Sequence, residues 1–430
     1  MAYKPEYELL VNSGLHQVLV NEQLLIPHEE VDISYAFSDM AYKILKPRSV
    51  EFISYPYEWC FSQLKDAALA ILRIQRIALK FGMSLKDCSA YNMQFVKGSP
   101  MLIDTLSFET YRPGYPWCAY LQFCQYFLAP LSLMCYTDMR MNKLLLFFID
   151  GIPLDLASTL LALPSRLSPA ILMHIHLHAK SQERFKDTQI KTEGTRVNNR
   201  YMLWLINSLE SAVAGLKKPR KKSSSWVNYY NEEAGYSSSA LLCKKQLVGE
   251  FIDSIKPEVV WDLGANTGLF SRIASSRNIQ VISVDSDIEA VEENYSRCKR
   301  EGEKNILPLC VDLINPSSGI GWENKERVPF LERGHTGTAI VLALIHHLAI
   351  SNNLPFDKIA HCLSSFCNTL IIEFVNKNDV NLKKLLLHRE DIFSGYTKDN
   401  FELQFSKYFT ILKSTEIGFS KRSLYLMQKK

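Results

Sequence analysis

The chain has 430 residues, of which 47% are hydrophobic and 22% are charged, and its formal net charge at pH 7 is +4. These values are typical of a globular protein with ample core; they lead us to expect two domains and give no strong signal for nucleic-acid binding. The ten cysteines show no paired CxxC spacing, so reduced thiols are the simpler interpretation.

The first long helix is predicted over residues 61–79, and a short polar loop follows it. Asp87 precedes Asn92 by five residues, a hairpin comes next, and a second acid, Asp104, stands 12 residues beyond Asn92. This order resembles the catalytic loop and metal-binding acid of kinase-like phosphotransferases, such as the aminoglycoside and fructosamine kinases. The resemblance implies that Asp87 orients an acceptor hydroxyl while Asn92 and Asp104 hold magnesium.

Departures from that pattern argue against ATP chemistry in the N-terminal half. The loop lacks its usual His or Gly-Asp start, the second acid is not followed by Phe-Gly, and no Gly-rich phosphate loop is recognisable. We therefore expect a mainly helical, degenerate kinase-like domain that binds an acceptor or a partner. An active phosphotransferase using Mg-ATP is the less favoured alternative. The purely structural interpretation places Asp87 and Asn92 in a turn and Asp104 at a strand end.

Two apolar segments of this half could be mistaken for membrane spans. Residues 117–136 are interrupted by Gln122, Gln125 and Pro130, and residues 144–149 are far shorter than the roughly 20 that a span needs. We expect buried helices, with a peripheral membrane contact as the alternative. We also expect no secretory signal, because no long apolar stretch follows Met1, and this favours the cytoplasm.

Three histidines, His174, His176 and His178, alternate with apolar residues. On a strand all three would share a face, whereas on a helix only the first and third would. Zinc could use such a set, but no cysteine or acid stands at ligand spacing. We predict a buried element with packed histidines and no metal site.

A basic, serine-rich segment at 216–225 divides the chain and is typical of a solvated linker. A polyanion-binding or nuclear-targeting patch is the alternative. The predicted boundaries are thus 1–215 for the kinase-like domain and 226–430 for the second domain. The aromatic start of the second domain, residues 226–236, is interpreted either as a lid over a ligand or as a segment packed on the sheet.

The second domain begins with a strand, a tight turn and a helix start. An apolar run leads to Asp262, and the turn contains Gly264, Asn266 and Gly268. A dinucleotide fingerprint needs glycine at i, i+2 and i+5, but counting from Gly264 the last two places hold Asn266 and Leu269. A nicotinamide cofactor is therefore disfavoured, whereas Asn tolerates a left-handed backbone, so the turn can form.

Polar residues close the strands that follow. The predicted strands and their closing residues are 279–284 with Asp285, 306–311 with Asp312, 339–344 with His346 and His347, 369–372 with Glu373, and an antiparallel pair at 409–415 and 423–427. Strands that alternate with helical segments predict a doubly wound α/β sheet, whose ligand lies at the carboxyl ends of the strands. Asp285 is placed to accept hydrogen bonds from ribose hydroxyls.

The acid-x-Gly-x-Asn-x-Gly turn resembles motif I of the class I S-adenosylmethionine (SAM) methyltransferases, with Asn266 as the one departure. An ordinary strand-to-helix turn is the alternative. The resemblance implies a Rossmann-like seven-stranded sheet and SAM as the cofactor. It also implies a cofactor-binding set made of Asp262, Gly264, Asn266, Gly268, Asp285 and Asp312, with Asp312 meeting the adenine amine.

His346 and His347 lie where that family places its fourth motif, beside the methyl group. Either could act as base or orienter, since histidine titrates near neutrality, or one could cap the strand while the other packs. Glu373 is a further catalytic candidate. The absence of an Asn/Asp-Pro-Pro-Tyr/Phe motif disfavours amino groups of bases and amides as acceptors.

The whole chain resembles a group of bacterial two-domain proteins described as class I SAM methyltransferases related to the nodulation protein NoeA. The segments that carry this resemblance are 25–30, 52–59, 85–95, 104–109 and 150–153. It implies methyltransfer to an unnamed acceptor, for which a small molecule or a glycan would fit. A phosphotransferase or bifunctional enzyme is one alternative, and a non-catalytic partner-binding protein is another.

Overall fold

A computed structural model describes residues 3–185, 199–219, 237–334, 336–387 and 390–430. The chain divides into two compact units, residues 1–221 and 222–430. The finer boundaries 1–215, 216–225 and 226–430, and the roles given to them, stay a prediction. Most of the predicted linker and the whole aromatic segment 226–236 lie outside the described residues.

The first unit is mainly helical, as predicted, and its short strands pair into small antiparallel sheets. Its helices and strands are α1 (Lys4–Asn12), α2 (Leu15–Asn21), β1 (His28–Val31), β2 (Ile44–Pro47), α3 (Phe61–Lys80), β3 (Met83–Leu85), β4 (Met93–Val96), β5 (Ser99–Leu102), β6 (Phe108–Thr110), α4 (Tyr120–Phe123), α5 (Ala129–Tyr136), α6 (Leu154–Leu160), α7 (Pro169–Ile171), α8 (His178–Phe185) and α9 (Asn199–Gly215). The hairpin expected after Asn92 is confirmed, because β4 pairs with β5.

Helix α3 forms the centre of this unit. More than half of its side chains are buried. They include a series spaced every three or four positions, which is the pattern of a core-facing helix: Leu64, Ala67, Ile71, Ile74 and Ala78. The predicted buried helix at 117–136 is confirmed by α4 and α5, which a π-helical turn at 124–128 joins and whose side chains are mostly buried. Across the described ranges, every helix is too short or too polar to cross a membrane.

The second unit is an α/β domain. Its helices and strands are α10 (Ser238–Ile255), β7 (Val259–Leu263), α11 (Ser271–Ser275), β8 (Gln280–Asp285), α12 (Ile288–Glu301), β9 (Ile306–Cys310), β10 (Thr336–Val341), α13 (Phe356–Phe366), β11 (Cys367–Val375), α14 (Val380–Leu386), α15 (Lys398–Phe405), β12 (Phe409–Glu416) and β13 (Arg422–Lys429). They form one seven-stranded sheet in the order β12-β13-β11-β10-β7-β8-β9. The predicted seven-stranded α/β sheet is confirmed.

The strand directions in this sheet indicate where a ligand-binding crevice is expected. Strands β9, β8, β7, β10 and β11 are parallel, and β13 and β12 are antiparallel to their neighbours, as predicted for the last pair. The chain proceeds from β7 outward to β8 and β9, then returns to β10 on the other side of β7. In such sheets ligands bind outside the carboxyl ends of the strands where the order reverses, here beside β7 and β10.

The ends of the fourth and fifth strands were predicted wrongly. The fifth was expected to close at Glu373, but β11 continues through Glu373 to Val375. The fourth strand was expected at 339–344, but β10 ends at Val341. The reason is Ala343, whose φ of 50° lies in the left-handed region and cannot continue an extended strand. His346 and His347 therefore stand after an irregular segment, and the second of them begins a π-helical turn at His347–Ser351.

Candidate functional site

The turn between β7 and α11 has a left-handed backbone at three places. The φ angles of Gly264, Asn266 and Gly268 are 75°, 54° and 76°, so Asn266 adopts the conformation that the sequence analysis expected it to tolerate. A Cβ atom on Gly268 would stand 2.4 Å from Oδ1 of Asn294, which leaves no room for a side chain. On Gly264 it would stand 3.2 Å from Cδ1 of Leu344.

A cavity of about 340 Å³ opens at the carboxyl ends of β7, β8, β9 and β10, a size within the usual range for small-ligand sites. Its wall is formed by Gly264, Asn266, Val284, Asp285, Ser286, Asp287, Val311, Asp312, Leu313, Ile314, Leu342, Ala343, Leu344, His347, Leu348, Ser351 and Asn352. Five predicted site residues are therefore brought together there: Gly264, Asn266, Asp285, Asp312 and His347. Four others, Asp262, Gly268, His346 and Glu373, do not line it.

Asp285 joins the end of β8 to the turn. One carboxylate oxygen accepts the backbone N–H of Asn266 at 2.7 Å, and the other accepts that of Asp287 at 2.8 Å. Burial raises the pKa of Asp285, and these N–H groups lower it only in part. A carboxylate oxygen has lone pairs for more than one hydrogen bond, so each can still accept a ligand hydroxyl. Asp312 is exposed and accepts the N–H of Ile314 at 2.9 Å.

Asp262 lies beneath the turn. Its carboxylate accepts the hydroxyl of Ser271 at 2.6 Å, and that hydroxyl stands 3.0 Å from the one of Ser283. Burial raises the pKa of Asp262 to about 6, against the opposing effect of the Ser271 hydrogen bond. The carboxylate therefore ties the first helical residue of α11 to β7 and positions the turn from below.

Arg272 completes the turn, and sequence reasoning missed it. One guanidinium nitrogen donates to the carbonyls of Thr267 and Gly268 at 2.8 and 3.0 Å, and the other donates to Glu303 at 2.8 Å. Nothing in the local sequence signals this role, because Glu303, one of the partners of Arg272, comes from beyond α12.

The two histidines pack against each other, with ring centroids 4.2 Å apart. His347 lines the cavity, and burial and the charge of Arg422 lower its pKa to about 4. His346 is buried, and burial, His347, Arg422 and Lys244 lower its pKa well below the ordinary value. Nδ1 of His346 has no hydrogen-bond partner within the described ranges. Both rings are neutral at neutral pH.

Glu373 lies in a buried ionic cluster. One of its oxygens accepts from Lys244 Nζ and from the backbone N–H of Ala343, each at 2.6 Å, and the other accepts from Arg422 at 3.3 Å. Burial alone would raise the pKa of Glu373, but the charges of Lys244 and Arg422 outweigh it and lower that pKa. The predicted catalytic candidate is thus engaged by three donors and kept out of the cavity wall.

In the first unit, the structure brings Asp87 and Asn92 together. The amide of Asn92 donates to Asp87 at 3.1 Å, and the amide of Gln122 donates to the other oxygen at 2.8 Å. The N–H of Ile103 donates to the carbonyl of Asn92 at 2.8 Å, which places the end of β5 beside the loop. Asp104 itself caps a helical turn by accepting the N–H of Leu106 at 2.9 Å and the hydroxyl of Ser107 at 2.7 Å.

The three spaced histidines lie around a π-helical turn at Leu172–Leu177. His174 is bonded to Tyr120 at 2.8 Å and to Ser208 at 2.9 Å, and the ring of His178 stacks on Tyr120. The two ring nitrogens of His176 form hydrogen bonds with two serine hydroxyls, at 2.7 and 3.1 Å. These contacts with neighbouring side chains are typical of histidines packed within a protein. Throughout the described ranges, no group of three or more His, Cys, Asp or Glu is arranged to hold a metal ion.

Comparison with known proteins identifies a relative of nearly full length. The chain is 34% identical over 418 residues to the nodulation protein NoeA of Rhizobium meliloti (strain 1021), which covers 96% of this chain and 87% of that protein. No family model matches the chain.

Solved structures with some similarity are methyltransferases, one of them bifunctional. The kinase-methyltransferase WbdD has a TM-score of 0.34 and 14% identity, with 47% of this chain and 42% of that chain covered. The N-methyltransferase NodS from Bradyrhizobium japonicum WM9 has a TM-score of 0.33 and 9% identity, covering 45% and 98%. A magnesium protoporphyrin IX methyltransferase from Synechocystis PCC 6803 has a TM-score of 0.33 and 16% identity, covering 47% and 97%.

Proposed function

The chain belongs to the family of the nodulation protein NoeA, and from that premise we propose that it is a SAM-dependent methyltransferase whose cofactor binds in the cavity of the second unit. The observation that carries the proposal is Asp285 at the end of β8. Its carboxylate lines the cavity and is fixed by two backbone N–H groups. An acid at this place in a doubly wound sheet accepts hydrogen bonds from ribose hydroxyls.

The chemical character of the cavity wall fits SAM. Asp285 and Asp312 follow adjacent parallel strands and offer carboxylate oxygens to the hydroxyls and amine of a nucleoside. Leu313 and Ile314, which follow Asp312 in the wall, supply apolar surface for a purine ring. Gly264 carries no side chain, so the ligand can approach the main chain of the turn closely.

The bound sulfonium of SAM supplies an activated methyl group. The chain's own task is then to orient the acceptor and exclude water. Of the two histidines, His347 lines the cavity, and its neutral ring can accept a hydrogen bond from the substrate that receives the methyl group. Since its pKa is about 4, we assign it the role of orienter. The ring of His346 packs against the ring of His347.

The acceptor is proposed to be a small molecule or a glycan. Among the described residues, those that line the cavity include no Lys or Arg, and beside His347 they offer the neutral polar groups of Ser351 and Asn352. These groups can hydrogen-bond with a hydroxyl of such an acceptor.

The first unit is proposed to recruit or position that acceptor. Asp87 already accepts hydrogen bonds from Asn92 and Gln122, which favours a binding role over phosphotransfer. Calorimetric titration with Mg-ATP tests this: we expect no saturable binding. Saturable binding that Asp104→Ala abolishes would instead favour the phosphotransferase alternative. The free state of the ten cysteines supports the cytoplasm as the proposed location.

The proposed function is tested by titrating the full chain with S-adenosylhomocysteine (SAH). Asp285→Ala should weaken binding about 10- to 100-fold, since a hydrogen bond to a charged group contributes roughly 1.5–3 kcal/mol. The matched control is Asp253→Ala, which removes an exposed carboxylate paired with Arg277 and should leave the SAH affinity as it is. Equal affinities of wild type and Asp285→Ala would refute the ribose contact.

A further inference from the structure

A strained residue lies in the cavity wall directly after β10. Ala343 has a φ of 50°, in the left-handed region where a residue with a Cβ atom is uncommon. Such strain persists only when the surrounding structure holds it, and it is concentrated at functional sites. The group that holds it here is Glu373 on the neighbouring strand β11, which accepts the N–H of Ala343 at 2.6 Å.

Glu373 is itself fixed by a neutral cluster of four charged groups. Lys244 from α10 donates to it at 2.6 Å and Arg422 from β13 at 3.3 Å. The same guanidinium makes two further bonds to Asp379, at 2.8 and 3.1 Å. At most 9% of each of these four residues is exposed. Burying two cations and two anions is costly and adds little stability on balance, so a role in specificity of structure explains the cluster better.

The strained segment is coupled to the turn that binds the cofactor. Leu344 follows Ala343, and its side chain lies where a Cβ atom on Gly264 would approach within 3.2 Å. Leu342, Ala343 and Leu344 all line the cavity. A change of the Ala343 backbone to an ordinary conformation would therefore move Leu344 relative to Gly264 and alter the shape of the wall.

We propose that Glu373 is a positioning residue: it holds Ala343 in the left-handed conformation and so keeps the wall formed by residues 342–344 shaped for SAM. The inference rests on the proposed function of the cavity. Glu373 does not line the cavity, so it acts through the Ala343 backbone, and this role replaces the catalytic role considered for it from the sequence.

The experiment uses SAH calorimetry and thermal unfolding of the full chain. Glu373→Gln removes the charge that holds the cluster, and we expect SAH affinity to fall about tenfold. Adding Ala343→Gly, which adopts a positive φ without steric cost, should restore most of that affinity while leaving the melting temperature low. Glu402→Gln is the matched control. Glu402 lies on α15, and its carboxylate accepts a hydrogen bond from the hydroxyl of Tyr425 at 2.6 Å. This change should leave the SAH affinity as it is.

The outcomes separate the two proposals. If wild type fails to bind SAH, the proposed function is wrong. If wild type binds and Glu373→Gln binds equally well, or if Ala343→Gly gives no rescue, the positioning role is wrong. If Glu373→Gln does not fold, Ala343→Val decides, because a β-branched residue resists a positive φ. Loss of SAH affinity in that variant supports the inference, and wild-type affinity overturns it.

Discussion

Substitution of Gly268 by alanine should disrupt the turn more than an alanine elsewhere in the same backbone conformation. The new Cβ would lie 2.4 and 2.6 Å from the amide atoms of Asn294 and 2.7 Å from a guanidinium nitrogen of Arg272. Neither neighbour can yield easily: Asn294 is buried and donates to Ser283 at 2.9 Å, and Arg272 is bound to two turn carbonyls.

The magnitude follows from two additive costs. A residue with a Cβ atom in the left-handed conformation costs roughly 1–2 kcal/mol, and overpacking a buried site costs typically about 1–3 kcal/mol. Gly268→Ala should therefore lower the free energy of unfolding by about 2–5 kcal/mol. Gly302, which ends α12, is the matched control, because its φ is 68° but nothing lies within 4 Å of the position that an added Cβ would take. Gly302→Ala should cost only the first amount, about 1–2 kcal/mol.

Denaturant unfolding and SAH titration of both variants measure the two consequences. We expect Gly268→Ala to lose more than about tenfold in SAH affinity, since the Arg272 bonds that shape the turn are displaced, and Gly302→Ala to bind SAH as wild type does. Equal losses of stability in the two variants, or unchanged SAH affinity in Gly268→Ala, would refute the steric reasoning.

Two further predictions concern the cavity wall. Because the pKa of His347 in the folded state is about 4, below its ordinary 6.5, the unfolded chain binds a proton between these values that the native chain does not; stability is therefore complete above pH 6.5 and falls as the pH drops towards 4. In His347→Gln, the free energy of unfolding measured with denaturant should fall by up to about 3 kcal/mol less over this pH range. His361→Gln, at an exposed histidine, is the control. A pH dependence as steep in His347→Gln as in wild type would contradict the assignment. Asp312→Ala, at an exposed carboxylate, should weaken SAH binding about tenfold with little change in stability, and unchanged affinity would remove Asp312 from the site.

The sheet could be predicted because its determinants are local. The parallel strands are short and mostly apolar runs, which is typical of strands buried on both faces. Asp285 was found from its position at the end of such a run and Asp312 from the family resemblance, and both line the cavity. The left-handed backbone of Asn266 was likewise accessible, since Asn is among the few residues that tolerate it.

The parts that sequence reasoning missed depend on contacts between distant residues. Nothing near Glu373 in the chain indicates that Lys244 and Arg422 surround it, because they come from the first helix and last strand of the unit. Alanine is not a residue type that indicates a left-handed backbone, so the conformation of Ala343 could not be predicted and the end of β10 was placed three residues too late. Asp262 has the sequence position of a ligand contact, yet its hydrogen bond to Ser271 places it beneath the turn.

The turn after β7 and the acid that ends β8 are proposed to hold a sulfonium nucleoside, and a crystal structure of the chain with SAH tests this central claim most directly. We predict the ribose hydroxyls at Asp285 and the adenine amine at Asp312, with the sulfur facing the segment from Leu342 to His347. A cavity that stays empty at saturating SAH, or one in which SAH lies away from Asp285, would contradict the claim.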